Sequence, residues 1–119
     1  MPIINLEYTA NLEISAKIKS FLLEIHHLLV QEIKTDLRTC RSSISKCTDY
    51  VIADGSPENA YIILRLKILP GRPEEVKNRT GKMLLEKIRH HFSSEIKKFD
   101  TQVRVALNEV DKQHYHGLD

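Results

Sequence analysis

The sequence predicts an α+β domain built as a doubled βαβ unit: a four-stranded mixed sheet with two helices on one face. Three observations carry this. Strand-like, helix-like and again strand-like patterning occurs twice in 119 residues, in two runs of about equal span. Each helix-like run has a single apolar stripe and can therefore cover only one face of a sheet. Each βαβ crossover is held to the right-handed connection, which makes its two strands parallel. A chain of this length supports one core, so residues 1–119 are read as one domain, with a first repeat at about 2–52, a second at about 60–110 and a polar tail at 111–119.

Taken in order, Ile3 to Tyr8 is short, apolar and β-branched at its start, as suits a strand. Asn11 or Ser15 can cap the helix that follows. Its stripe, Ile14, Ile18, Phe21, Leu22, Ile25, Leu28 and Leu29, advances in steps of three and four and should end near Lys34 to Asp36. Leu37 to Ile52 reads as a less regular strand, and Ala53-Asp54-Gly55-Ser56-Pro57 as a turn. Ala60 to Leu69 alternates, with Ile62, Leu64, Leu66 and Ile68 on one face and Tyr61, Ile63, Arg65 and Lys67 on the other. Pro70 to Glu75 turns into a second helix, about Pro73 to Lys98, with Pro73 at its first position and the stripe Val76, Thr80, Met83, Leu84, Ile88, Phe92, Ile96. Val103 to Val110 alternates as the last strand. The sheet face away from the helices would stay wet, and subunit association is the expected remedy.

Composition narrows the function. With 18 basic against 16 acidic residues scattered along the chain, no basic face for nucleic acid is implied. No apolar run approaches the ~20 residues of a membrane span, and there is no leader pattern, so a cytoplasmic protein is the expectation. Cys40 and Cys47 match neither a redox pair nor a zinc knuckle and read as reduced thiols on or near a strand. His26-His27 and His90-His91 are adjacent pairs that diverge on a helix; His114 and His116 in the tail have no nearby partner, so no metal site is expected.

The start of the chain carries the chemistry. Pro2 follows Met1, whose removal a small second residue permits, and a freed Pro2 is a secondary amine able to act as a base near neutral pH. With Pro70-Gly71-Arg72 between the third strand and the second helix, and the doubled βαβ plan, the sequence resembles the tautomerase superfamily. More narrowly it is similar to the 5-carboxymethyl-2-hydroxymuconate isomerase family. The segments that carry the likeness are Ala53-Asp54-Gly55, the strand Ala60 to Ile68, Pro70-Gly71-Arg72 with Glu75, Gly81-Lys82-Met83-Leu84, Ile88 and His91-Phe92. The first half matches mainly in length, element order and Pro2.

The resemblance implies a cofactor-independent isomerase that moves a proton in a polycarboxylate 2-hydroxydienoate, with Pro2 as general base and then acid. It implies a homotrimer, and arginines that hold the carboxylates: Arg72 within the motif, and Arg41 on the strand before Ala53-Asp54-Gly55. The spacing from the arginine-bearing stretch to that turn departs from the family pattern by about one residue, so Arg38 can fill the role given to Arg41. Tyr8 and Tyr50 can line a pocket wall or belong to the core. Two other readings share the fold: a tautomerase of another enol acid, and a non-catalytic ferredoxin-like binding or scaffold protein.

Overall fold

The computed structural model describes residues 1–118; Asp119, the last residue of the expected tail, lies outside the described residues. Four strands, β1 (Ile3–Thr9), β2 (Arg41–Cys47), β3 (Asn59–Ile68) and β4 (Asp100–Glu109), form one sheet in the order β2-β1-β3-β4. β1 pairs with β2 and β3 with β4 in parallel, while β1 and β3 meet antiparallel at the centre. The sheet is therefore mixed, as expected for two βαβ units joined through their first strands.

Two long helices, α1 (Ser15–Glu32) and α2 (Glu74–His91), cover one face. The stripe read from the sequence of α1 is buried throughout, and it meets Ile4, Leu6 and Tyr8 of β1 and the even-numbered residues of β3 from Ala60 to Ile68. Thr80, Leu84, Ile88 and Phe92 of the second stripe are buried, with Val76, Met83 and Ile96 packed at its margin. Period-2 burial on β3 and period-3.6 burial on the helices thus lock the same face, which fixes the register of the central strands.

Several boundaries differ from the sequence reading. Neither Asn11 nor Ser15 caps α1: the N-cap is Ile14, with no side-chain cap, because Asn11 donates to the Asn59 carbonyl and the Ser15 hydroxyl pairs with that of Tyr8 at 3.0 Å. The second helix does not run unbroken to Lys98. It ends at His91, and a separate turn, α3 (Ser93–Ile96), follows after the burial of Phe92 bends the backbone. Pro73 is the N-cap and Glu74 the first helical residue. The expected strand from Leu37 to Ile52 is shorter: a 3₁₀ turn, η1 (Leu37–Thr39), precedes the seven residues of β2. β4 begins three residues earlier than its apolar alternation suggested, since Asp100 pairs with Asn59.

The other sheet face is polar and internally bonded. Asn5 donates to the hydroxyls of Ser43 and Ser45, both at 3.0 Å. Glu7 accepts from the Tyr61 hydroxyl and from Arg65, the latter at 3.0 Å. The Tyr61 bond, together with Arg65, holds the Glu7 carboxyl below its ordinary range, while burial and Glu7 push the Tyr61 phenol up. Among the described residues no helix is long and apolar enough to cross a membrane.

Candidate active site at the chain start

Pro2 is buried at the head of β1, at the end of the sheet where β2 begins and β3 ends. Its carbonyl accepts from the Arg41 amide at 3.4 Å, and one residue on, Ile3 faces Arg41 on β2 and Lys67 on β3. Pro2 is thus bonded to β2 through its carbonyl and followed at once by a residue paired on both sides, which limits how far its ring can swing.

The connection from α1 to β2 wraps this terminus. Lys34 takes a left-handed φ of 56° just past the end of α1, which turns the chain back toward the sheet. Asp36 caps η1 by accepting from the Arg38 amide at 3.2 Å. The turn aims two hydroxyls at one atom: Thr35 Oγ1 donates to the Met1 carbonyl at 3.0 Å, and Thr39 Oγ1 lies 3.3 Å from the same oxygen. Cys40 follows, and burial pushes its thiol up while the charge of the amino terminus draws it down, so the terminus is within electrostatic reach. A raised thiol stays protonated at neutral pH.

Three arginines were expected here, and the structure gives each a different setting. Arg41 opens β2 beside Pro2, is exposed, and its guanidinium reaches the Tyr115 hydroxyl of the tail at 3.5 Å. Arg38 lies on η1 with an exposed side chain. Arg72 is half-buried and donates to backbone carbonyls: Nε and Nη2 to Ile33 at 3.2 and 3.1 Å, and Nη1 to Leu69 at 2.9 Å. It therefore ties the end of α1 to the end of β3, on either side of the terminus. Tyr8 is a core residue rather than a pocket wall, and Tyr50 is half-buried in the loop after β2.

Thr35, Thr39 and Tyr115 escaped the sequence reading. Thr39 had a faint signal, an Asp three positions before it that starts a turn; Thr35 had none. The largest hollow described, about 860 Å³, lies elsewhere, on α2 over Leu28 and Met83 with Lys82 and Lys87 at its rim. It shares no residue with the Pro2 cluster.

The family model for 5-carboxymethyl-2-hydroxymuconate isomerase matches residues 2–117. The chain belongs to that family. It is accordingly an isomerase of the tautomerase superfamily. A 5-carboxymethyl-2-hydroxymuconate isomerase from Deinococcus radiodurans R1 superposes with a TM-score of 0.90 at 28% identity, over 99% of this chain and 89% of that one. A 5-carboxymethyl-2-hydroxymuconate delta-isomerase shares the fold at TM-score 0.66 and 19% identity, over 100% and 88% of the two chains. A fused 4-OT symmetric trimer does so at TM-score 0.71 and 22% identity, over 93% and 87%. No curated protein sequence matches the chain.

Proposed function

We propose that Pro2, freed of Met1, is the general base and then the general acid of a cofactor-independent isomerase acting on a polycarboxylate 2-hydroxydienoate of the 5-carboxymethyl-2-hydroxymuconate type. The observation that carries this is the placement of Pro2: buried, bonded to β2, and next to a polar connection in a chain of this family. The neutral amine takes the hydroxyl proton of the dienol, the electron pairs shift along the conjugated carbons, and the ammonium returns a proton to the distant carbon. No net proton is consumed. A reference α-amino group titrates at about 7.7–8.0, and partial burial lowers that value toward the operating pH.

Substrate carboxylates are held by cations. Arg41 stands beside the base and is the first candidate; Arg38, exposed on η1, is the second. Arg72 presents a guanidinium with three N–H groups engaged by carbonyls, so it both shapes the connection and adds positive potential there. A homotrimer completes the reading. The likeness to a trimeric fold supports it, and an uncovered sheet face of bonded polar groups offers a surface for a neighbouring subunit. Free thiols at Cys40 and Cys47 favour a reducing compartment such as the cytoplasm.

The test is turnover of a 2-hydroxydienoate tricarboxylate, followed by its absorbance, with the wild type and Pro2→Ala. We expect kcat to fall by about 10²-fold or more with KM little changed, the share usually carried by a positioned acid–base group. Equal turnover by the two proteins would remove Pro2 from the mechanism.

A further inference from the structure

The two hydroxyls at the Met1 carbonyl mean more once Met1 is gone. A peptide oxygen lies about 2.3 Å from the following nitrogen, so Thr35 Oγ1 and Thr39 Oγ1 are both within about 6 Å of the Pro2 nitrogen. Removing Met1 takes away the oxygen on which they converge and places the free amine beside the space it filled. Thr39 has a defined polarity: its hydroxyl donates to the Asp36 carbonyl at 2.7 Å, much shorter than its 3.3 Å approach to Met1, so its lone pairs face the terminus. Thr35 lies beside it, 3.0 Å from the same Met1 oxygen, with the two hydroxyl oxygens 3.3 Å apart.

We propose that Thr39, backed by Thr35, is a positioning residue for the Pro2 amine: its oxygen accepts the single N–H of the neutral amine and so turns the nitrogen lone pair toward the substrate. This rests on the reading of Pro2 as the base. A neutral secondary amine has one N–H and one lone pair, and nitrogen inversion would otherwise let either occupy the reactive direction. A hydroxyl already committed as a donor on its far side can only accept, which selects one of the two arrangements. In the ammonium the same contact persists, and the second N–H points where the proton must be delivered. The charged and titratable groups around the terminus are Asp36, Arg38, Cys40 and Arg41 on the connection and β2, Lys67 on β3, Arg72 before α2, and the tail residue Tyr115 that meets Arg41. None of them changes identity in the variants below.

The experiment compares wild type, Thr39→Val, Thr39→Ser and Pro2→Ala in turnover, and titrates the Pro2 nitrogen by ¹⁵N NMR in the first three. Thr39→Val should lower kcat about 3- to 10-fold, the value of one neutral hydrogen bond, with KM unchanged. Its Pro2 titration, and the acid limb of its rate profile, should move to lower pH because the ammonium has lost an acceptor. Thr39→Ser should restore both. If Thr39→Val fails to fold, Thr39→Cys, a thiol of similar size that accepts hydrogen bonds only weakly, should move the titration downward in the same sense. An unmoved Pro2 titration with unchanged kcat overturns the role of Thr39 while Pro2→Ala remains inactive. Full activity of Pro2→Ala would instead overturn the base itself.

Discussion

The two ends of the sheet are built on the same plan and serve opposite purposes. At one end α1 hands over to β2 through Ile33 to Cys40; at the other, α2 hands over to β4 through Phe92 to Phe99. The backbone logic is shared: the Arg41 amide donates to Pro2 at the first end, as the Asp100 amide donates to Glu58 at the second. The side chains differ. The second connection turns three apolar side chains inward, with Phe92 fully buried and Ile96 and Phe99 packed against the core, and its Glu95 reaches Lys17 of α1 at 2.7 Å. The first is polar after Ile33, and its threonines turn to the chain terminus instead of the core. Duplicated architecture thus lets one connection pack the core while the other turns its hydroxyls to the chain start.

The contrast can be broken most sharply at its stable end. Phe92→Ala should cost about 3–5 kcal/mol, since the ring is buried and stacks on Phe21 at 5.0 Å, and chemical denaturation measures it. At temperatures where that variant stays folded its turnover should match wild type. A variant of normal stability but low turnover would show that the two ends do not divide the work. Arg72→Ala is the next largest. It removes a charged donor from two carbonyls and should cost about 2 kcal/mol, while also lowering kcat/KM because the connection loses its anchor. Arg72→Lys, which cannot fork between Ile33 and Leu69, should recover little of either.

The stable end was the legible one. Ile62, Leu64, Leu66 and Ile68 alternate, and the stripe of α1 steps regularly, because burial on one face forces those periods on the sequence. β2 gave no such signal: it is an edge strand of serines whose bonding partner is Asn5, so neither of its faces needs to be apolar. Its true limits come from pairing with β1, which single-residue patterns do not contain. The end of α2 was overrun because no Gly or Pro stops it; the turn there is imposed by packing Phe92 inward. Pro2 and Arg41 could be named only through the family resemblance, which attaches a role to a position. Thr35 and Thr39 could not, because a threonine acquires a role only from what the fold points it at.

The smallest effect concerns the open sheet face. Glu7 is 27% exposed and its carboxyl is held below the ordinary range by the Tyr61 hydroxyl and Arg65. The stability it adds is complete above the ordinary carboxylate pKa and is lost as pH falls through its lowered value. Glu7→Gln should therefore lower the melting temperature slightly at neutral pH and flatten its decline below about pH 4.5. An unchanged acid limb would show that this network contributes nothing to the fold.

The measurement closest to the central claim is the state of the terminal nitrogen. Intact mass of the purified protein followed by ¹⁵N titration of Pro2 should find Met1 absent and a secondary amine that is substantially neutral at pH 7 to 8. A retained Met1, which would leave Pro2 an amide without a usable lone pair, or an amine still fully protonated above pH 9, would contradict it.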